Sequence, residues 1–121
     1  MDKVKFALAG FGRFGRHHAN VLASHPAVEL VAIAEPNKVQ ADEAQLIYPR
    51  AKIYECPFQL IEEVHPEALS IASPEDTHAS IVRAALDARL NIFCEKPLAT
   101  QVEEARELVS LARQVGVHFR M

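Results

Sequence analysis

The chain has 121 residues, half of them hydrophobic, a formal net charge of −3 and an isoelectric point near 6.0. That length suits one domain burying roughly two-thirds of the surface its unfolded chain would expose, and leaves no room for a second core. The charge balance gives no electrostatic reason to expect nucleic acid or an anionic membrane as partner, since Arg13, Arg16, His17 and His18 are too few to form a basic stripe.

The amino terminus leads into an apolar run shorter than the roughly 7–15 residues of a signal-peptide core and far short of the about 20 needed to span a membrane. Val4 to Gly10 and Val28 to Ala34 are nearly continuous apolar runs, the pattern of strands covered on both faces in a parallel sheet. Between them Phe14, His18, Val21 and Leu22 recur at helical spacing. Asn37 to Leu46 reads as a helix ended by Pro49, Lys52 to Tyr54 as a short strand, and Pro57 to Val64 as a brief helical connection. Ala68 to Ala72 and Asn91 to Cys94 repeat the strand pattern, with a helix predicted over Asp76 to Arg89 between them. The last helix carries Val102, Ala105, Leu108, Val109 and Ala112 on one face. Thr100 with Glu103 suggests a capping box at its start, and Gly116 suits the left-handed position at its end. Val117 to Arg120 reads as a final strand.

Strand and helix therefore alternate in two β-α-β-α-β halves. The fold class expected is α/β, a three-layer, doubly wound parallel sheet of the Rossmann type with strand order 3-2-1-4-5-6, and residues 1–121 form one dinucleotide-binding domain. Ligands in such sheets bind at the carboxyl ends of the strands, where the order reverses. Cys56 and Cys94 show neither C-x-x-C nor His spacing, so no metal site is indicated, and two free thiols fit a reducing cytoplasm.

In "LAGFGRFGRHH", Gly10, Gly12 and Gly15 stand at G-x-G-x-x-G spacing behind the first strand. Glycines at that spacing alone are weak evidence. Their weight comes from the strand before, the helix after, and an acid, Glu35, about 20 residues past Gly15 at the end of the second strand. Gly10 would allow the tight turn, Gly12 would let the backbone approach a pyrophosphate, and Gly15 would let helix and strand pack closely. Phe11 and Phe14 belong to the same loop and are assigned with it to the cofactor; Arg13 lies over the pyrophosphate or is simply solvated. Glu35 would accept hydrogen bonds from the adenosine ribose and repel a 2′-phosphate, favouring NAD over NADP, although Lys38 nearby could tolerate a phosphate.

Two further loops leave the same edge. In "SPEDTH", Pro74 holds Ser73 extended, making a fixed wall near the nicotinamide. In "CEKPLAT", Lys96 is either a solvated strand-end lysine or points its ammonium into the crevice to hydrogen-bond a substrate oxygen, with Glu95 orienting it and Pro97, cis or trans, limiting the backbone.

Together, "AGFGRFGRHHA", "SPEDTHASIVRAAL" and "NIFCEKPLA" resemble the nucleotide-binding domain of the glucose-fructose oxidoreductase / inositol dehydrogenase (Gfo/Idh/MocA) family across essentially the whole chain. The resemblance implies that Lys96 assists catalysis or substrate placement, that Glu95 and Pro97 hold it, and that Ser73, Pro74, His78 and Glu95 border the dinucleotide. His18 matches a histidine of the family and is read as packing. The family often carries Asp where Glu35 stands and Asn where Glu75 stands, which leaves NADP open beside NAD. Family members continue, past a segment like "VGVHFRM", into a second domain that forms the substrate pocket and oligomer interface and supplies a catalytic histidine. The implied function is therefore the NAD(P)-binding domain of a dehydrogenase of a sugar, cyclitol or related polyol, binding without turnover by itself. Two alternatives stand beside it: a non-catalytic dinucleotide-binding sensor or partner module, and a methyltransferase-type nucleotide fold.

Overall fold

The computed structural model describes residues 2–121. Six strands form a single parallel sheet: β1 (Val4–Ala9), β2 (Val28–Ala34), β3 (Lys52–Tyr54), β4 (Ala68–Ile71), β5 (Asn91–Cys94) and β6 (Phe119–Arg120). Their order is β3-β2-β1-β4-β5-β6, the Rossmann order expected from the alternation of apolar runs and helices. The helices are α1 (Arg13–Ser24), α2 (Lys38–Ile47), α3 (Pro57–Val64), α4 (His78–Asp87) and α5 (Val102–Val115).

The alternation of side chains along β1 divides the core into two layers. Ala7 and Ala9 face a cluster with Leu69, Ile71, Val82, Leu86 and Leu108, on the side of α3, α4 and α5. Leu8 faces the opposite way into a cluster with Phe11, Ala19, Leu30, Ile33 and Ala44, beneath α1 and α2. All of β4 is buried, as a strand covered on both faces requires.

Several local expectations need correction. In α1 the buried residues are Gly15 and Ala19, while Phe14 and Val21 are 61% and 63% exposed. The small residues let the helix lie close to the sheet, which turns the larger apolar ones outward. In α5 Leu108 and Ala112 are buried, but Val102 is exposed. That helix starts one residue later than the T-x-x-E spacing requires: Gln101 is its N-cap, no side chain caps it, and Thr100 lies outside. Glu103 and Glu104 stand in its first turn, where negative charge suits the positive end of the helix dipole. The helix foreseen from Asp76 begins as a 3-10 turn over Glu75–Thr77 and becomes α-helical at His78. The last strand is only Phe119–Arg120. Gly116 does take the left-handed C-cap position, at φ 82°, with its amide donating to the Ala112 carbonyl.

Candidate functional site

Main-chain hydrogen bonds at the carboxyl ends of the strands set the loops side by side. Glu35 N donates to Tyr54 O, Gly10 N to Ala34 O, Ala72 N to Ala9 O, and Glu95 N to Ile71 O, each at 2.8–2.9 Å. The ladder thus delivers the ends of β2, β1, β4 and β5 to one edge. A cleft of about 550 Å³ opens there, lined by Gly10, Gly12, Arg13 and Phe14 of the loop after β1, by Ser73 and Pro74 after β4 on one flank and by Glu35 after β2 on the other.

The glycines occupy unlike environments. Gly10 has φ +102°, and a Cβ there would lie 2.6 Å from Ser73 N. A Cβ on Gly15 would sit 2.0 Å from the Gly10 carbonyl oxygen, so α1 can approach its own loop only without a side chain at that point. Gly12, the N-cap of α1, has φ −82°, which any residue adopts, and a Cβ there would meet nothing within 4 Å. Neither backbone nor packing demands glycine at this position. No side chain caps α1 and no acid lies in its first turn, so its leading N–H groups and positive dipole end face the cleft. An open space at an uncapped helix start is the geometry that receives a phosphate, and a dinucleotide's diphosphate fits it.

Glu35 is only 7% exposed. Its Oε1 accepts from Phe11 N at 2.7 Å and its Oε2 from Asn37 N at 2.8 Å, so the carboxylate fixes the glycine loop against the start of α2. A carboxylate accepts about four hydrogen bonds, which leaves capacity for a ribose hydroxyl. Lys38, the candidate phosphate partner, lies instead 3.5 Å from Asp42 on the exposed face of α2. The ring of Phe11 is buried in the core and takes the edge of Tyr48, so this residue can meet a ligand only through its backbone.

Ser73 and Thr77 share a hydroxyl hydrogen bond of 2.7 Å, and Thr77 Oγ1 donates to Pro74 O at 2.6 Å, which folds the loop back on itself. His78 does not line the cleft. It is 2% exposed, with Nδ1 2.7 Å from Pro97 O and Nε2 2.8 Å from Ser73 O, and so clamps the loop after β4 to the loop after β5 from behind.

Glu95 does not reach Lys96. Side chains alternate along an extended chain, so Glu95 shares a side with Phe93 and turns toward His18 of α1. His18 receives it: Nε2 lies 2.9 Å from Glu95 Oε1, Nδ1 lies 2.5 Å from Ser70 Oγ, and the ring meets the edge of Phe93 at 5.5 Å between centroids. His18 is thus a polar bridge from α1 to β4 and to the loop after β5 rather than plain packing. Its sequence signal was Ser70, a hydroxyl inside a fully buried strand, which has to find a partner. Lys96 is exposed on the same edge, outside the lining of the cleft, and its peptide bond to Pro97 is cis.

Cys94 is buried, and burial, with the Glu95 carboxylate adding to it, pushes its thiol up to about 12; it is no nucleophile. No group of three or more metal-ligating side chains occurs among the described residues. Gln40, Pro57 and Phe58, which lie outside the motifs, also line the cleft, as do Thr77, Ser80 and Ile81, which lie within the second motif but were given no role. The topology did carry a signal, because in a parallel sheet the loops after β3 and β4 open on the same edge as the glycine loop.

A family model described as an oxidoreductase family with an NAD-binding Rossmann fold (Gfo/Idh/MocA) matches residues 4–121. The rhizopine catabolism protein MocA of Rhizobium meliloti is 32% identical over 121 residues, covering 100% of this chain and 38% of that protein. The scyllo-inositol 2-dehydrogenase (NAD(+)) of Bacillus subtilis is 31% identical over 116 residues, 95% of this chain and 34% of that one. Among solved structures, the WlbA dehydrogenase from Bordetella pertussis, in complex with NADH and UDP-GlcNAcA, superimposes with a TM-score of 0.91 at 26% identity, covering 98% of this chain and 37% of that one. The chain spans little more than a third of the length of each of these relatives.

Proposed function

Since the chain belongs to the Gfo/Idh/MocA oxidoreductase family, we propose that residues 1–121 form the cofactor-binding domain of an NAD-dependent dehydrogenase acting on a sugar, cyclitol or related polyol. The observation that carries this reading is the empty space over Gly12 at the uncapped start of α1. There the amides of the first turn would hold the diphosphate and Arg13 would lie over it. Glu35, while bracing the loop, would accept from the adenosine ribose, and its charge beside the cleft would disfavour a 2′-phosphate. Ser73 and Pro74 would wall the nicotinamide half.

When bound, the nicotinamide supplies hydride transfer to or from a substrate carbon. Lys96 would bind the reacting oxygen through its ammonium, and the His18–Glu95 bridge with the His78–Pro97 contact would fix the backbone on either side of it. Names of relatives support the polyol class: one is a scyllo-inositol dehydrogenase, another the structure bearing NADH and a nucleotide sugar. Two free thiols support a reducing cytoplasm, and exposed Val39, Leu46 and Ile47 on α2 support self-association of the parent.

Calorimetric titration of the chain with NADH, NADPH and S-adenosylmethionine tests the reading. NADH binding in preference to the other two is expected. Preferential binding of S-adenosylmethionine, or no binding of NADH, would overturn it.

A further inference from the structure

The three exposed phenylalanines of the protein are Phe14, Phe58 and Phe93, and two of them, Phe14 and Phe58, line the cleft. Phe58 stands in the first turn of α3, directly after Pro57, and is 45% exposed although Leu60 and Ile61 of the same helix are buried. Packing within the domain therefore leaves nearly half of this residue uncovered. An aromatic side chain left in water at the wall of a cleft is available to a ligand's flat face.

The order of the strands says which part of a ligand reaches it. With a diphosphate at Gly12 on β1 and a ribose at Glu35 on β2, the next group outward lies at the loop after β3, which carries Phe58. The cleft that Phe58 lines also carries the apolar Pro36, Pro57 and Ile81 and the uncharged polar Gln40, Thr77 and Ser80. A neutral, planar, nitrogen-rich base fits that lining, whereas a charged or fully hydroxylated group would lose hydration against it.

We propose that Phe58 is the stacking platform for the adenine ring, so that the loop after β3 contributes directly to cofactor affinity. The inference rests on the dinucleotide reading above and adds to it a residue that neither the glycine motif nor the strand-end acid identifies. Stacking acts on the adenosine half alone. Its removal should therefore weaken every ligand that carries adenine and leave the nicotinamide half untouched.

The test compares the wild-type chain with Phe58→Ala, Phe58→Leu and Phe58→Tyr, titrated with NADH, ADP-ribose and reduced nicotinamide mononucleotide. Phe58→Ala should weaken NADH and ADP-ribose roughly tenfold to a hundredfold, with the mononucleotide unchanged and Phe58→Tyr close to wild type. Phe58→Leu, apolar without a π face, should fall with the alanine variant. Unchanged ADP-ribose affinity in Phe58→Ala would overturn the inference, as would full affinity in Phe58→Leu or an equal loss on the mononucleotide. In those cases wild-type NADH binding would still stand, whereas a wild type that binds neither NADH nor ADP-ribose would overturn the dinucleotide reading itself. The exposure of Phe58 makes folding of the variants secure, and unchanged thermal midpoints verify it.

Discussion

Gly12 and Gly15 belong to one motif, yet substitution should separate them cleanly. At Gly15 a methyl group would be forced against the Gly10 carbonyl at 2.0 Å, so Gly15→Ala should cost at least ~2 kcal/mol in urea unfolding through overpacking. At Gly12 the added atoms enter open space and only the N-cap preference is lost, so Gly12→Val should cost no more than about 1 kcal/mol while abolishing NADH binding. Equal destabilisation by both, or retained affinity in Gly12→Val, would contradict the division. Glu35→Ala should carry two effects at once: loss of the acceptor for Phe11 N, at about 1–3 kcal/mol of stability, and a larger fall in NAD than in NADP affinity. An equal fall for both cofactors would leave Glu35 only its structural task. The raised Cys94 thiol has a defined sign. The folded state holds its proton above the ordinary thiol range, so this group's contribution is intact below about pH 9 and is lost as pH climbs toward about 12. Native protein at pH 8 should accordingly be alkylated by iodoacetamide at half-buried Cys56 and not at Cys94, read by mass spectrometry.

What could be read from single residues was limited by reach. Gly10, Gly12, Gly15 and Glu35 announce themselves because their spacing is local to one β-α-β unit. His18 and Glu95 are 77 positions apart, and only the lateral ladder of the sheet shows that they meet. The tripeptide Glu95-Lys96-Pro97 suggests that the carboxylate tends its neighbour, but alternation along the extended chain turns it toward α1 instead.

At the scale of elements, strand positions followed closely from the apolar runs, because a strand buried on both faces has little freedom in composition. Helix faces and ends were less legible. In α1 close approach selects Gly15 and Ala19 over larger neighbours, and in α5 the start shifts past Thr100. Thr100→Ala should therefore be neutral within about 0.5 kcal/mol, where a capping residue would cost about 0.5–2. Gly116→Ala, at φ 82°, should lose about 1–2 kcal/mol, because a Cβ crowds the following carbonyl in that conformation. Thermal unfolding of the pair, run side by side, checks both ends of one helix.

For the whole molecule, the order β3-β2-β1-β4-β5-β6 follows from right-handed crossovers that start at β1 and run outward twice. That topology makes the gap between the β1 and β4 loops a place where segments remote in sequence converge. The cleft found there contains the glycine loop, the strand-end acid and the Ser73–Pro74 wall, with Lys96 on the same edge beyond it. Its flank beyond Glu35 was not legible from motifs, because Gln40 and Phe58 are ordinary residues of ordinary helices until the fold assembles them. A dinucleotide held in this cleft has to touch these loops together. Amide chemical-shift mapping of the isotope-labelled chain during titration with NADH tests this most directly. The largest shifts should fall together at Gly12–Gly15, Glu35–Asn37 and Ser73–Thr77; shifts confined to the opposite end of the sheet, around Lys3, Tyr48 and Arg50, would contradict it.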